Sequence, residues 1–104
     1  MALLGRPVKS KIRQNMIEIL FYLKRATGYD IYRHYIKIFG KVTNRSMYYH
    51  LKKGTALNEF AVFEIKQEKG DYSWGQTTEK IYYELGEKAE PKLPKEVSDY
   101  FSKN

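Results

Sequence analysis

Val42-Thr43-Asn44-Arg45-Ser46-Met47-Tyr48-Tyr49-His50-Leu51-Lys52-Lys53 is the stretch on which the reading of this chain turns. Thr43 is a good helix N-cap, and a helix begun at Asn44 can run to Lys53 and on toward Leu57. With side chains advancing about 100° per residue, Met47 and Leu51 point together toward a core. Arg45, Tyr49, Lys52 and Lys53 gather on the opposite side, with Ser46 at its edge. That outer face holds three cations, two hydroxyls and no carboxylate. Such a face suits a polyanion: arginine can grip guanine or phosphate, lysines neutralise phosphate, and hydroxyls donate to either. Asn44, Arg45 and Tyr49 are the candidates to read bases, although each also suits phosphate.

Upstream, Gly40 sits where a helix C-cap glycine belongs and closes a helix expected from Tyr29 to Phe39. Its inner stripe reads as Tyr32, Tyr35, Ile36 and Phe39, with Asp30, Arg33, His34 and Lys37 outside. Before it, a helix should start between Pro7 and Ser10 and stop near Gly28. Ile12, Met16, Ile19, Leu20 and Leu23 make its core stripe, while Ile17 and Phe21 fall on a second side that another element or another chain must cover. Downstream, Asn58 suits a left-handed helix end. The pattern then turns β-branched and aromatic: Phe60, Val62, Phe63 and Ile65, then Ile81, Tyr83 and Leu85 after the loop around Lys69-Gly70-Asp71 and Ser73-Trp74-Gly75. This is a β-hairpin spanning 60–85. A last helix is expected over about 94–103, where Leu93, Val97, Tyr100 and Phe101 share one face.

Three helices with a short second connection, then a hairpin, is the order of a winged helix–turn–helix. The expected fold class is therefore α+β, mainly helical, as one domain of 104 residues with its core over about 8–86. In that architecture the third helix enters the major groove and the hairpin, as the wing, reaches the adjacent backbone or minor groove.

The charge agrees. Of a net +7, residues 1–57 hold twelve lysines and arginines against Glu18 and Asp30, while residues 58–104 hold seven against ten carboxylates. A basic half beside a mildly acidic half points to one surface for a polyanion. The longest apolar run, Ile19 to Leu23, is far short of a membrane span, and Met1 to Pro7 is too weakly apolar for a secretory leader. There is no cysteine, which excludes disulfides and thiolate metal sites and suits a reducing cytoplasm. No cofactor is expected.

The stretch Thr27-Gly28-Tyr29-Asp30-Ile31-Tyr32, together with Ser46-Met47-Tyr48-Tyr49-His50-Leu51, resembles the PadR-like winged-helix transcriptional regulators, small archaeal members above all. The resemblance covers about Ile12 to Leu85. It implies a homodimer that binds double-stranded DNA through its third helix. The chain departs from the family in its short C-terminal helix and longer hairpin loop.

The residues expected at DNA are Asn44, Arg45, Ser46, Tyr49, Lys52 and Lys53, with Lys69 and Trp74 at the hairpin tip. Those expected at a partner copy are Ile17, Phe21, Leu93, Val97, Tyr100 and Phe101. The last four could instead pack on the first helix of their own chain. Two rivals stand beside the regulator: a nucleoid-type binder of low specificity, and a winged helix that docks protein or RNA. Glu64-Ile65-Lys66 has the spacing of a metal-dependent nuclease strand. Such a site needs further carboxylates, so the chain is read as no enzyme. His34 and His50 are too few for a metal and are read as surface or edge residues.

Overall fold

The computed structural model describes residues 10–69 and 77–103. Its elements run α1 (Lys11–Leu23), β1 (Ala26–Thr27), α2 (Gly28–Phe39), α3 (Asn44–Ala56), β2 (Phe60–Lys69), β3 (Thr77–Leu85) and α4 (Lys95–Lys103). Over the described residues the chain is α+β, with four helices and an antiparallel sheet in the order β1-β3-β2.

Each of the first three helices opens on a hydroxyl cap. Ser10 Oγ accepts from the Arg13 N–H, Thr27 Oγ1 from Asp30 and Thr43 Oγ1 from Ser46, each bond satisfying a backbone donor the helix itself leaves open. Asp30 returns the favour to the Thr27 N–H, closing a capping box. Gly40 ends α2 at φ 99°, and Asn58 follows α3 at φ 64°, both in the left-handed region the sequence suggested.

Gly28 has a different role from the helix stop expected of it. α1 ends earlier, at Leu23, where Lys24 at φ 71° donates its N–H to Leu20 O at 2.8 Å. Gly28 is instead the first residue of α2, and a Cβ there would lie 2.8 Å from the Tyr48 ring and 3.0 Å from Leu51 Cδ2. The glycine lets α2 and α3 approach. Gly54, inside α3, leaves room in the same way for the Phe60 ring and the Arg13 side chain.

α1 is the central rod. Met16, Ile17, Ile19 and Leu20 are all buried, against α2, α3, β3 and α4. Ile17, expected on a second side that another element or another chain must cover, is covered from within the chain: it belongs to the main core with Ile31, Met47, Leu51 and Phe60, which corrects its assignment to a partner copy. Along α2 the buried positions are Gly28, Ile31 and Tyr35, so the stripe is centred one residue away from the expected one and Ile36 faces outward.

α4 and the segment before it close the second side of α1. Val97 is fully buried, the Phe101 ring stacks on Tyr22 at 4.9 Å, and the Tyr100 hydroxyl meets His34 Nδ1 at 2.8 Å. The buried Glu18 carboxylate receives the N–H groups of Lys92 (2.7 Å) and Leu93 (2.9 Å) as well as the Gln14 side-chain amide. Charge-assisted bonds of this kind fix the turn at Leu93, which sits at φ 57°.

In the hairpin, Phe60 pairs with Leu85 and Val62 with Tyr83, after which Phe63 is an extra residue and Glu64 pairs with Tyr82. The bulge turns Phe63 toward Arg25, whose guanidinium lies 3.8 Å from the ring centre. β1, two residues long, pairs with Tyr82 and Tyr83 on the other edge of β3.

Candidate nucleic-acid interface

α3 is anchored from within and open from without. Met47 and Leu51 are buried, and Gly54 is closed over by Phe60. At its side, Arg13 from α1 donates to Glu59 at 2.6 Å and lies 3.4 Å from His50 Nδ1. Arg13 counts toward the basic half of the sequence, yet the fold buries it in this pair. Burial first, and the Arg13 charge second, hold the His50 imidazole below its ordinary pKa, so His50 is neutral beside the guanidinium at neutral pH.

The opposite face carries Asn44, Arg45, Tyr49, Lys52 and Lys53, all exposed, with Tyr49 58% accessible. No hydrogen bond or ion pair within the described residues joins Asn44, Arg45, Lys52 or Lys53 to another side chain. Ser46 is half-buried and its backbone N–H is committed to the Thr43 cap, which leaves its hydroxyl at the rim. Asn44 and Arg45 also stand in the first turn of α3, where the helix dipole favours an anion. The face therefore presents three cations, an amide and a phenol with no carboxylate among them.

Lys69 closes β2, but its side chain is outside the described set, and Trp74 lies outside the described residues altogether. The six residues assigned to a partner copy separate. Ile17 and Val97 are buried inside the chain, and Tyr100 and Phe101 pack on α2 and α1 of the same chain. Ile17 is thereby drawn away from a partner copy, while Val97, Tyr100 and Phe101 follow the alternative of packing within their own chain, Tyr100 and Phe101 remaining half-buried. Phe21 stays half-buried, and Leu93 is 47% exposed.

Among the tyrosines, the sequence gives only Tyr49 a role at this end of the molecule. Tyr29 and Tyr48 are exposed there too, around a cleft between the start of α2, α3 and β3. Their signal was present in the adjacent Tyr48-Tyr49 pair, but only the β3 position shows that Tyr48 faces the hairpin. Burial, with the Tyr48 phenol nearby, pushes the Tyr83 hydroxyl above its usual pKa.

Among the described residues no three His, Asp or Glu side chains gather as a metal site, and no helix is long and apolar enough to cross a membrane. On Glu64-Ile65-Lys66, the Lys66 ammonium rests 5.1 Å from the Tyr82 ring centre. No family model matches the chain, and no curated protein does. Among solved structures it is similar to the crystal structure of Pex from Synechococcus sp. (strain PCC 7942) (Anacystis nidulans R2), at 13% identity and a TM-score of 0.49, over 94% of this chain and 88% of that one.

Proposed function

We propose that the chain is a winged helix–turn–helix protein of PadR-like type that binds double-stranded DNA as a cytoplasmic transcriptional regulator. The observation that carries this reading is the outer face of α3, where Asn44, Arg45, Tyr49, Lys52 and Lys53 are exposed together without a carboxylate. α3 enters the major groove in this reading, and the β2–β3 hairpin is the wing. Lys52 and Lys53 neutralise phosphates, while Arg45, with Asn44 and Tyr49 beside it, reads base edges.

The regulator acts as a homodimer in this proposal, with two α3 helices set about 34 Å apart for successive major grooves. The contact available for it is narrower than the sequence implied. Of the residues assigned to it, Phe21 is half-buried and Leu93 is 47% exposed, and these two remain accessible to a partner copy.

The test is the ratio of affinities for a selected site and for random duplex, both measured at one stated salt concentration. A specific regulator gives a ratio of about 10³ or more. A ratio near one replaces the regulator by a low-specificity nucleoid-type binder, and no duplex binding at low salt removes the DNA reading.

A further inference from the structure

The cleft between α2, α3 and β3 has a volume of about 400 Å³ and is not used by the DNA-binding reading. Four tyrosines from three elements are among its lining residues: Tyr29 on α2, Tyr48 on α3, and Tyr82 and Tyr83 on β3. Tyr29 and Tyr48 are 61% and 49% exposed, so their rings are open to a ligand. Asp30 and Glu79 also line it, against the single ammonium of Lys80.

Ring faces carry partial negative charge and attract cations within about 6 Å. Two of these rings already do so inside the protein. The Arg33 guanidinium lies 5.6 Å from the Tyr29 centre, and the Lys66 ammonium lies 5.1 Å from the Tyr82 centre. Of the two carboxylates, Asp30 is paired with Arg33 at 3.6 Å, which leaves Glu79, with no hydrogen-bond or ion-pair partner among the described residues, to face a ligand. A cation with an apolar body gains from both the rings and the Glu79 carboxylate. The volume falls within the range of small-molecule pockets.

We propose that this cleft is a binding site for a small organic cation of the quaternary ammonium class. The onium group sits against Tyr29 and Tyr48 with Glu79 as its counter-charge, and the apolar substituents lie along Ile81 and Tyr83. The site is independent of the DNA reading, because it shares neither Arg45, Tyr49, Lys52 nor Lys53 with it.

The experiment is an NMR titration of the full chain, without DNA, using choline and its uncharged carbon isostere 3,3-dimethylbutan-1-ol as probes. Choline should saturate resonances of residues 27–30, 48 and 79–83, and the isostere should bind at least tenfold more weakly. Tyr29→Leu should weaken choline about threefold or more, Tyr29→Phe should retain it because the ring remains, and Glu79→Gln should weaken it similarly. Tyr29 and Glu79 are both exposed, so the folded spectrum serves as the control in each variant. Equal binding of the two probes overturns the proposal. So does an unchanged affinity in both Tyr29→Leu and Glu79→Gln, or no saturation by about 50 mM choline. If Glu79→Gln instead tightens duplex binding while choline leaves the spectrum unmoved, the cleft takes a DNA phosphate and the cation site is lost.

Discussion

The two sides of this small molecule treat polar groups in opposite ways. Where α4 meets α1, the carboxylate of Glu18 is buried and receives two backbone N–H groups and an amide, and His34 is matched with Tyr100. On the outer face of α3, Asn44, Arg45, Lys52 and Lys53 are exposed, with no hydrogen-bond or ion-pair partner among the described residues. The first arrangement stabilises the fold, because a buried polar group without a partner is costly. The second leaves the fold almost indifferent, since solvated cations contribute little to stability. Side chains that the fold does not need are the ones free to be occupied by something else. Substitutions should therefore divide cleanly between loss of stability and loss of binding.

The largest effect is expected at Glu18. Glu18→Leu strands the N–H groups of Lys92 and Leu93 and should cost about 2–4 kcal/mol in urea unfolding. At a protein concentration that keeps the dimer assembled, the folded variant should bind duplex within about twofold of the wild type. A folded Glu18→Leu protein with a large loss of DNA affinity would break the division. Next is Arg45→Ala, which should leave the unfolding midpoint in place and remove about 1–3 kcal/mol of binding to a preferred site, with less lost on random duplex. Equal losses on both DNAs would assign Arg45 to phosphate.

Lys52→Ala and Lys53→Ala sharpen the binding side further. Each should reduce the slope of log affinity against log salt by about one for every bound chain, hence about two for a dimer. A slope unmoved in both variants would show a merely solvated face. The smallest effect belongs to the other side and depends on pH. Burial, followed by the charges of Arg33 and Lys37, holds His34 below its ordinary pKa despite Asp30, and His50 is held low as well. The unfolded chain then takes up protons first as pH falls through about 6.5, so stability is full above that value and declines below it. Thermal melts from pH 7.5 to 5.5 should show a gradual fall that His34→Gln makes shallower. A midpoint constant across that window would contradict it.

Local chemistry was plain in the sequence, and long-range placement was not. Thr43, Gly40 and Asn58 announce their helix ends because caps and left-handed residues depend on neighbours a few positions away. The outer face of α3 was legible because one helix period separates Met47 and Leu51 from Arg45 and Tyr49. Ile17 was misplaced because α1 is surrounded, and no periodicity within one helix reveals how many elements pack around it. β1 could not be seen, since two residues become a strand only when Tyr82 and Tyr83 are beside them. Gly28 reads in the sequence as a helix stop, and nothing in its neighbours explains Gly54 inside α3. Their reason lies in Tyr48 and in Phe60, the aromatic rings that pass over them. The Tyr29–Tyr48 cleft was hidden for the same reason, being assembled from three separate stretches of chain.

The Glu18 clasp also has a consequence for amide exchange. Lys92 and Leu93 lie in an irregular stretch where backbone hydrogens ordinarily trade with water almost at once. Here both hydrogens point into a buried carboxylate, so exchange must wait until the strap before α4 lifts from α1. Their protection, timed against the core amides of α1, reads the free energy of that lifting directly. α4 is thereby marked as a separate opening unit if those two hydrogens exchange sooner than the α1 core, and as part of a single cooperative unit if they exchange with it.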